Sequence, residues 1–337
     1  MCARREPWPD TDHVRGLVAA LVAISLSCTA AAPAPSPAPA PTAASPTPTG
    51  TPSPQAARWR TFAPIPTPRS EVAAAVTGGR IYVVGGFGGG TTFERYDASS
   101  DRWERLAPLP VSLNHPMATA IGDYMFVFGG YLDSGAAIAR TFRYDTRSGT
   151  WRETAAMPEP RGAGGAAAIG RTAYVVGGAA GGRLLPSAYA YEAEADVWRR
   201  IADLPTPRDH LAVATFEGKV CAVGGRRLSM RENLGAFHCY DPESGRWEQR
   251  PDLPTPRGGL GAAILAGALY VVGGEQPSGT FREVEFFDGR SWSRAPDLPT
   301  PRHGLAVASA GKTLYVVAGG PTPGGSQTAV VEGLTLP

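Results

Sequence analysis

Charge is scarce in this 337-residue chain: 18% of the residues are Asp, Glu, Lys or Arg, and the formal net charge is +2. A balance so near zero offers no basic field to a nucleic-acid backbone, so that partner class is disfavoured. Long apolar runs are also lacking. The main one, Gly16–Ser27, falls short of the roughly 17–25 residues that span a bilayer. Histidines number five and cysteines four. No HExxH spacing, serine-nucleophile motif or phosphate loop occurs, and the glycine pairs end strands instead of opening helices. No cofactor and no metal centre are expected from such motifs.

What is abundant is glycine (42) and proline (33). Val/Ile/Tyr-rich runs between the glycines argue for many short strands joined by turns. The N-terminus is different. Arg4, Arg5 and Arg15 precede the apolar run, small residues follow, and no further charge appears until Arg58. This is the layout of an export signal, assigned to residues 1–28. Ser25-Leu26-Ser27-Cys28 resembles the lipobox of bacterial lipoproteins, with Leu26 one place nearer the cysteine than usual. Cys28 is therefore a lipidation candidate, the alternative being an ordinary cysteine within a signal peptide. Residues 29–57 form a Pro/Ala/Ser/Thr-rich spacer with no charge, too polar and stiff to bury a core. Membrane contact is expected only through a lipid at Cys28, and the location is expected to be extracytoplasmic, secreted or at the cell surface.

From residue 58 to 337 the chain repeats itself. GRIYVVGG (79–86), DYMFVFGG (123–130), RTAYVVGG (171–178), GKVCAVGG (218–225) and GALYVVGG (267–274) are followed by KTLYVVAGG (312–320), whose pair is Ala318-Gly319 or Gly319-Gly320. The spacing is 44–49 residues. Tyr96, Tyr144, Tyr191 and Tyr240 each precede a tryptophan by seven positions; Phe287 precedes Trp292 by five. A repeat of this length signals a propeller or an array. The pattern resembles the kelch repeat, which implies a β-propeller with four antiparallel strands per blade. Six copies imply an all-β, six-bladed ring. In the first unit the strands, labelled a to d in chain order, are expected near 72–76, 80–84, 92–96 and 103–106. The sixth unit supplies strands near 305–309, 313–317 and 328–331 but no tryptophan. RWRTFAPIPTPR (58–69) matches RWEQRPDLPTPR (246–257), so Trp59 should bring the missing outer strand from the N-terminus and close the ring.

Strand order fixes which loops share a face. The d-to-a connections, with their LPTPR sequences, and the b-to-c loops after each Gly-Gly converge on one mouth of the central channel. The arginines of the connection, Arg69, Arg161, Arg208, Arg257 and Arg302, are either an anion-attracting rim or side chains packed on blade carbonyls; Leu113 stands in their place in the second unit. The next two positions vary between units and supply sharper candidates: Glu71, His115, Asp209, His210 and His303. In the b-to-c loops, Tyr131, Arg227 and Arg231 are further candidates. His115, His210 and His303 could gather near the mouth, the single arrangement that would suit a metal. Asp97, Asp145, Asp241 and Asp288 read as turn formers. Cys221 and Cys239, on adjacent strands, could pair as a disulfide in an exported protein.

The absence of catalytic motifs favours a binding module that holds a protein, peptide or glycan at the mouth. Two alternatives stand beside it. One is a sugar-modifying enzyme, since exported bacterial kelch propellers include a sialic-acid mutarotase, to which this chain is similar in architecture only. The other is a purely structural surface domain. The Cys–Tyr–His constellation of the copper-radical kelch oxidases has no counterpart here.

Overall fold

The computed structural model describes residues 57–337. The export segment, Cys28 and residues 29–56 of the spacer lie outside the described residues. Six four-stranded antiparallel sheets succeed one another along the chain. In blade 1 the strands are a (Ala73–Thr77), b (Arg80–Val84), c (Phe93–Asp97) and d (Arg102–Arg105). In blade 6 they are a (Ala306–Ala310), b (Thr313–Val317) and c (Val331–Thr335), with Arg58–Thr61 as d. That last pairing runs from Arg58↔Thr335 through Trp59↔Leu334 to Thr61↔Glu332. The N-terminal strand thus completes the final blade.

Strand c of blade 6 begins at Val331, three residues later than its expected start at Thr328. The reason is local competition. Backbone carbonyls of Thr328 and Ala329 are taken by Arg69 N and Ile65 N of the incoming d-to-a segment, and so the blade ladder starts beyond them.

Strand character follows radial position. The a strands line the axis and are made of small residues, because neighbouring a strands approach closely. A Cβ added at Gly165 would lie 2.3 Å from Val213, and one at Gly261 would lie 2.4 Å from Val307. The b strands are sandwiched between neighbours on both sides, which is why Tyr82, Val83 and Val84 run as an unbroken apolar segment, all buried. The c-strand tyrosines are buried as well, whereas the d-strand tryptophans are only half-buried. The tryptophans pack on the edge of the core and also act directionally. Each indole Nε1–H donates across the blade junction: Trp103 to Ala63 O, Trp151 to Ala107 O, Trp198 to Ala155 O, Trp247 to Ala202 O, Trp292 to Pro251 O and Trp59 to Pro296 O, at 2.7–2.9 Å. The seam across chain ends is made in the same way as every other junction.

The glycine pairs form the second inter-blade link. The second residue of each pair donates its N–H to the carbonyl of the arginine-slot residue of the next blade, from Gly86 to Leu113 O at 2.8 Å round to Gly319 to Arg69 O at 2.8 Å. This identifies Ala318-Gly319 as the sixth pair. Gly86 has φ +96°, and a Cβ there would lie 2.4 Å from Ser70 O, so both conformation and space require glycine. On the opposite face Asp97, Asp145, Asp241 and Asp288 each accept backbone N–H bonds two or three residues on. Cys221 and Cys239 are directly opposite on strands b (Lys219–Val223) and c (Phe237–Asp241) of blade 4 and are joined as a disulfide, with Cα atoms 4.0 Å apart.

Candidate binding site at the channel mouth

The five connection arginines do not form a rim. Each is fully buried, so as candidate ligand contacts Arg69, Arg161, Arg208, Arg257 and Arg302 are corrected to blade anchors. In blades 1, 5 and 6 the guanidinium meets the carboxylate at the second position of strand c, which in blade 5 is Val284–Phe287: Glu94 at 2.8 Å, Glu285 at 2.6 Å and Glu332 at 2.5 Å. The threonine of the same connection donates to the other carboxylate oxygen: Thr67, Thr255 and Thr300. The remaining donors go to carbonyls of the blade, such as Val83 and Thr92 for Arg69. Blade 3 substitutes Glu159 and Ser187, with Tyr189 under the guanidinium at 5.2 Å. In blade 4, with His238 in the glutamate position, Arg208 bonds carbonyls alone. Burial lowers all five below the usual arginine value, Arg69 and Arg208 to about 10. In blade 2 the whole set is apolar: Val111, Leu113 and Phe142 pack in one cluster.

The residue after the arginine slot is zipped to the first residue after Gly-Gly by an isolated antiparallel bridge in every blade. The pairs are Ser70 with Phe87, Asn114 with Tyr131, Gly162 with Ala179, Asp209 with Arg226, Gly258 with Glu275, and His303 with Gly320. Connection and loop are therefore one rigid unit at the mouth.

One residue further on, the six chains meet round the axis. Glu71, His115, Ala163, His210, Gly259 and Gly304 all have positive φ, 49–70°. Their peptide groups form a hydrogen-bonded ring: His115 N to Glu71 O (3.0 Å), Ala163 N to His115 O (3.1 Å), His210 N to Ala163 O (2.7 Å), Gly259 N to His210 O (2.9 Å) and Gly304 N to Gly259 O (2.8 Å). Val72 N reaches Gly304 O at 3.4 Å and closes the ring at the seam. Left-handed backbone suits the glycines. At Glu71, His115 and His210 it costs of order 1 kcal/mol each, a strain typical of positions kept for their side chains.

Those side chains converge. His115 Nε2 lies 3.2 Å from Glu71 Oε2. His303 Nε2 is 3.5 Å from both Glu71 Oε1 and Glu275 Oε2. His115 and His210 stack edge to face with ring centres 4.9 Å apart. Asp209 Oδ2 sits 2.8 Å from His210 Nδ1, and Arg226 is paired to Glu275 at 2.7 Å. Glu71, Asp209, Arg226, Glu275 and His303 are buried, and the His115 and His210 side chains keep 11% of their surface. Burial, reinforced by Arg226, pushes His115 down to about 3; burial also lowers His210. Burial alone would raise the Asp209 carboxyl, but the His210 contact, the Leu228 N–H and Arg226 together hold it below its ordinary value. Burial likewise works to raise Glu275, and His303, the Gly324 N–H and Arg226 outweigh it. A cavity of about 80 Å³ touches Glu71, His115 and His210 at the level of the ring.

Phe87 and Tyr131 flank His115 with ring centres at 5.3 and 5.5 Å. Tyr131 donates to Ala179 O at 3.0 Å, and its hydroxyl is raised by burial and by Asp209 to about 12. Arg227 and Arg231 are exposed on the fourth loop, beside Leu228. Thus Glu71, His115, Asp209, His210 and His303 come together, Tyr131 borders them, and Arg227 and Arg231 stand on the outer rim. Sequence reasoning missed Glu275 and the role of Arg226. Both occupy the position just after Gly-Gly, where a charged residue breaks the pattern of Phe, Tyr, Ala and Gly in the other units.

Two family matches fit the ring. The KLHDC2/KLHL20/DRC7 kelch-repeats domain matches residues 96–253, and the kelch motif matches residues 68–110. The chain belongs to the kelch-repeat family. No curated protein matches its sequence. Among solved structures the kelch ring is similar to that of YjhT, with 16% identity over 80% of this chain and 96% of YjhT and a TM-score of 0.70. At that identity the likeness is one of fold.

Proposed function

We propose that this kelch propeller is an extracytoplasmic binding module whose b-to-c face takes a protein or peptide ligand at the channel mouth. The observation that carries the reading is the placement of exposed apolar side chains. Of the three large hydrophobics exposed among the described residues, Phe87 (39%) and Leu228 (48%) both stand in b-to-c loops of this face. They flank the buried polar cluster, and Arg227 and Arg231 lie beside Leu228. An apolar anchor ringed by charge on loops held by a rigid scaffold is the usual anatomy of a recognition patch. The Cys221–Cys239 bond supports an oxidising compartment.

The test is capture of secreted and surface proteins by the full chain, followed by the Phe87→Asp/Leu228→Asp double variant. Partners retained by the wild type should be lost from the variant while its melting temperature is unchanged. Equal capture by both refutes the reading, and selective retention of glycans on an array redirects it to carbohydrate. A second reading, proton transfer on a sugar, is favoured by the close pairing of Glu71 with His115. NMR measurement of anomer exchange in reducing sugars decides it: acceleration that vanishes in Glu71→Gln would establish an enzyme.

A further inference from the structure

We propose that Glu71, His115 and His210 form a binding site for a divalent first-row transition-metal cation, with Asn114 and Asp209 as the residues that orient the two imidazoles. The three donors come from three blades, and their ligand atoms lie within 4.8 Å of one another. Two histidines and a carboxylate are a ligand set that such ions take, with further positions left for water.

The hydrogen bonds behind the imidazoles carry the argument. His115 Nδ1 faces Asn114 Oδ1 and His210 Nδ1 faces Asp209 Oδ2, both at 2.8 Å. An acceptor oxygen there holds the proton on Nδ1, so each ring turns a bare Nε2 lone pair forward. A carboxylate or carbonyl behind the ring is the common support of a metal-bound histidine. For His115 the result is an Nε2 lone pair 3.2 Å from Glu71 Oε2, which is itself an acceptor. Two lone pairs at that distance repel unless a positive centre sits between or beside them. Ligand atoms each about 2.1 Å from one ion stand about 3–4 Å apart, so this pair is already at coordination spacing and the widest contact has at most about 1–2 Å to close.

Local charge agrees. Three carboxylates, Glu71, Asp209 and Glu275, stand against one guanidinium, Arg226, and the one imidazole, His303, whose two ring nitrogens both face carbonyls, so the cluster stays net negative. The second trio at this place, Glu71, Glu275 and His303, is a poorer site. Both ring nitrogens of His303 are engaged by carbonyls, Gly320 O at 3.0 Å and Gly324 O at 2.9 Å, and Glu275 is committed to Arg226 and Gly324 N. The ion therefore belongs on the His115–His210 side of Glu71. There the cavity of about 80 Å³ has room for it and for water ligands.

The experiment is titration of the chelator-treated full chain with Zn²⁺ and Co²⁺, followed by calorimetry and, for cobalt, by the visible d–d band. One equivalent should bind saturably, and the ion should raise the melting temperature in a way a chelator reverses. Glu71→Gln and His210→Ala should weaken binding at least tenfold, and Asp209→Asn by about 10–100-fold with stoichiometry unchanged. Circular dichroism checks each variant's fold, and Asp209→Asn keeps the test decisive if a ligand variant does not fold. No saturable binding by the wild type overturns the proposal. So does binding that survives Asp209→Asn and His210→Ala but is abolished by Glu275→Gln, since that places the ion elsewhere.

Discussion

Replacing Arg257 by leucine tests what the recurrent LPTPR sequence does. The guanidinium has no exposed surface. It donates to Glu285 at 2.6 Å and to the carbonyls of Thr255, Val271 and Glu283. Arg257→Leu removes the counter-charge but leaves the Glu285 carboxylate 97% buried, with one hydrogen bond from Thr255. Breaking one side of a buried ion pair costs about 3–5 kcal/mol. For a domain of this size that is a fall in melting temperature of roughly 10 °C. Blade 2 already shows the repair. It carries Val111, Leu113 and Phe142 where blade 5 has Thr255, Arg257 and Glu285. The triple variant Thr255→Val/Arg257→Leu/Glu285→Phe should therefore regain most of the loss, because an apolar set of similar volume can replace a buried ion pair at little net cost. Denaturant and thermal unfolding of wild type, single and triple variants measure this. A single variant within about 1 kcal/mol of wild type, or a triple variant no more stable than the single, would refute the reasoning.

Four further outcomes are expected. Metal-free protein should lose stability on acidification from about pH 6.5. Folded His115 and His210 titrate below their unfolded value, so the unfolded chain takes up protons first, and stability present above pH 6.5 declines towards the folded values. At pH 5 the loss should be about 2 kcal/mol for His115, with His210 adding to it in the same direction, and His115→Asn should flatten the profile between pH 6.5 and 5 by about that amount. Trp59→Ala removes a half-buried indole and the bond to Pro296 O; it should cost about 2–3 kcal/mol and open the N-terminal strand to limited proteolysis. Gly86→Ala meets Ser70 O at 2.4 Å and should reduce soluble yield and melting temperature more than Gly181→Ala, where nothing lies within 4 Å. Alkylation followed by mass measurement should label Cys221 and Cys239 only after reduction, and reduction should cost about 3 kcal/mol for a bridge spanning 18 residues.

Much of the ring could be read in the repeat itself. Glycine pairs, tyrosines and tryptophans recur because each blade junction repeats the same two hydrogen bonds, so the blade count and the role of Trp59 follow from spacing. The arginines were harder, because a recurring cation reads equally well as a rim or as an anchor. What decides it is the glutamate two positions into the c strands that begin at Phe93, Val284 and Val331, which pairs with Arg and vanishes together with Arg and Thr in blade 2. Blades 3 and 4 keep the arginine without that glutamate, so the pairing is partial in the sequence and becomes visible only once strands c are aligned. The mouth cluster was half legible. Glu71, His115, Asp209, His210 and His303 stand out as polar residues where small ones are usual. Their mutual distances depend on the left-handed ring that turns them towards one axis, and no local pattern announces a positive φ at a histidine.

The closing strand also sets the order in which the molecule can be made. Arg58 and Thr335 are paired neighbours, yet about 280 residues separate them along the chain. Bringing such distant segments together costs about 4 kcal/mol more in chain entropy than closing a four-residue turn. Blades 1 to 5 each contain all four of their strands in sequence and can form as the chain emerges. Blade 6 must wait until Val331–Thr335 exist, while Arg58–Thr61 remains without its partner. Folding of this ring should thus end with a slow step of long-range closure, and during that interval the unpaired edges of blade 6 are where the molecule is most exposed to wrong partners.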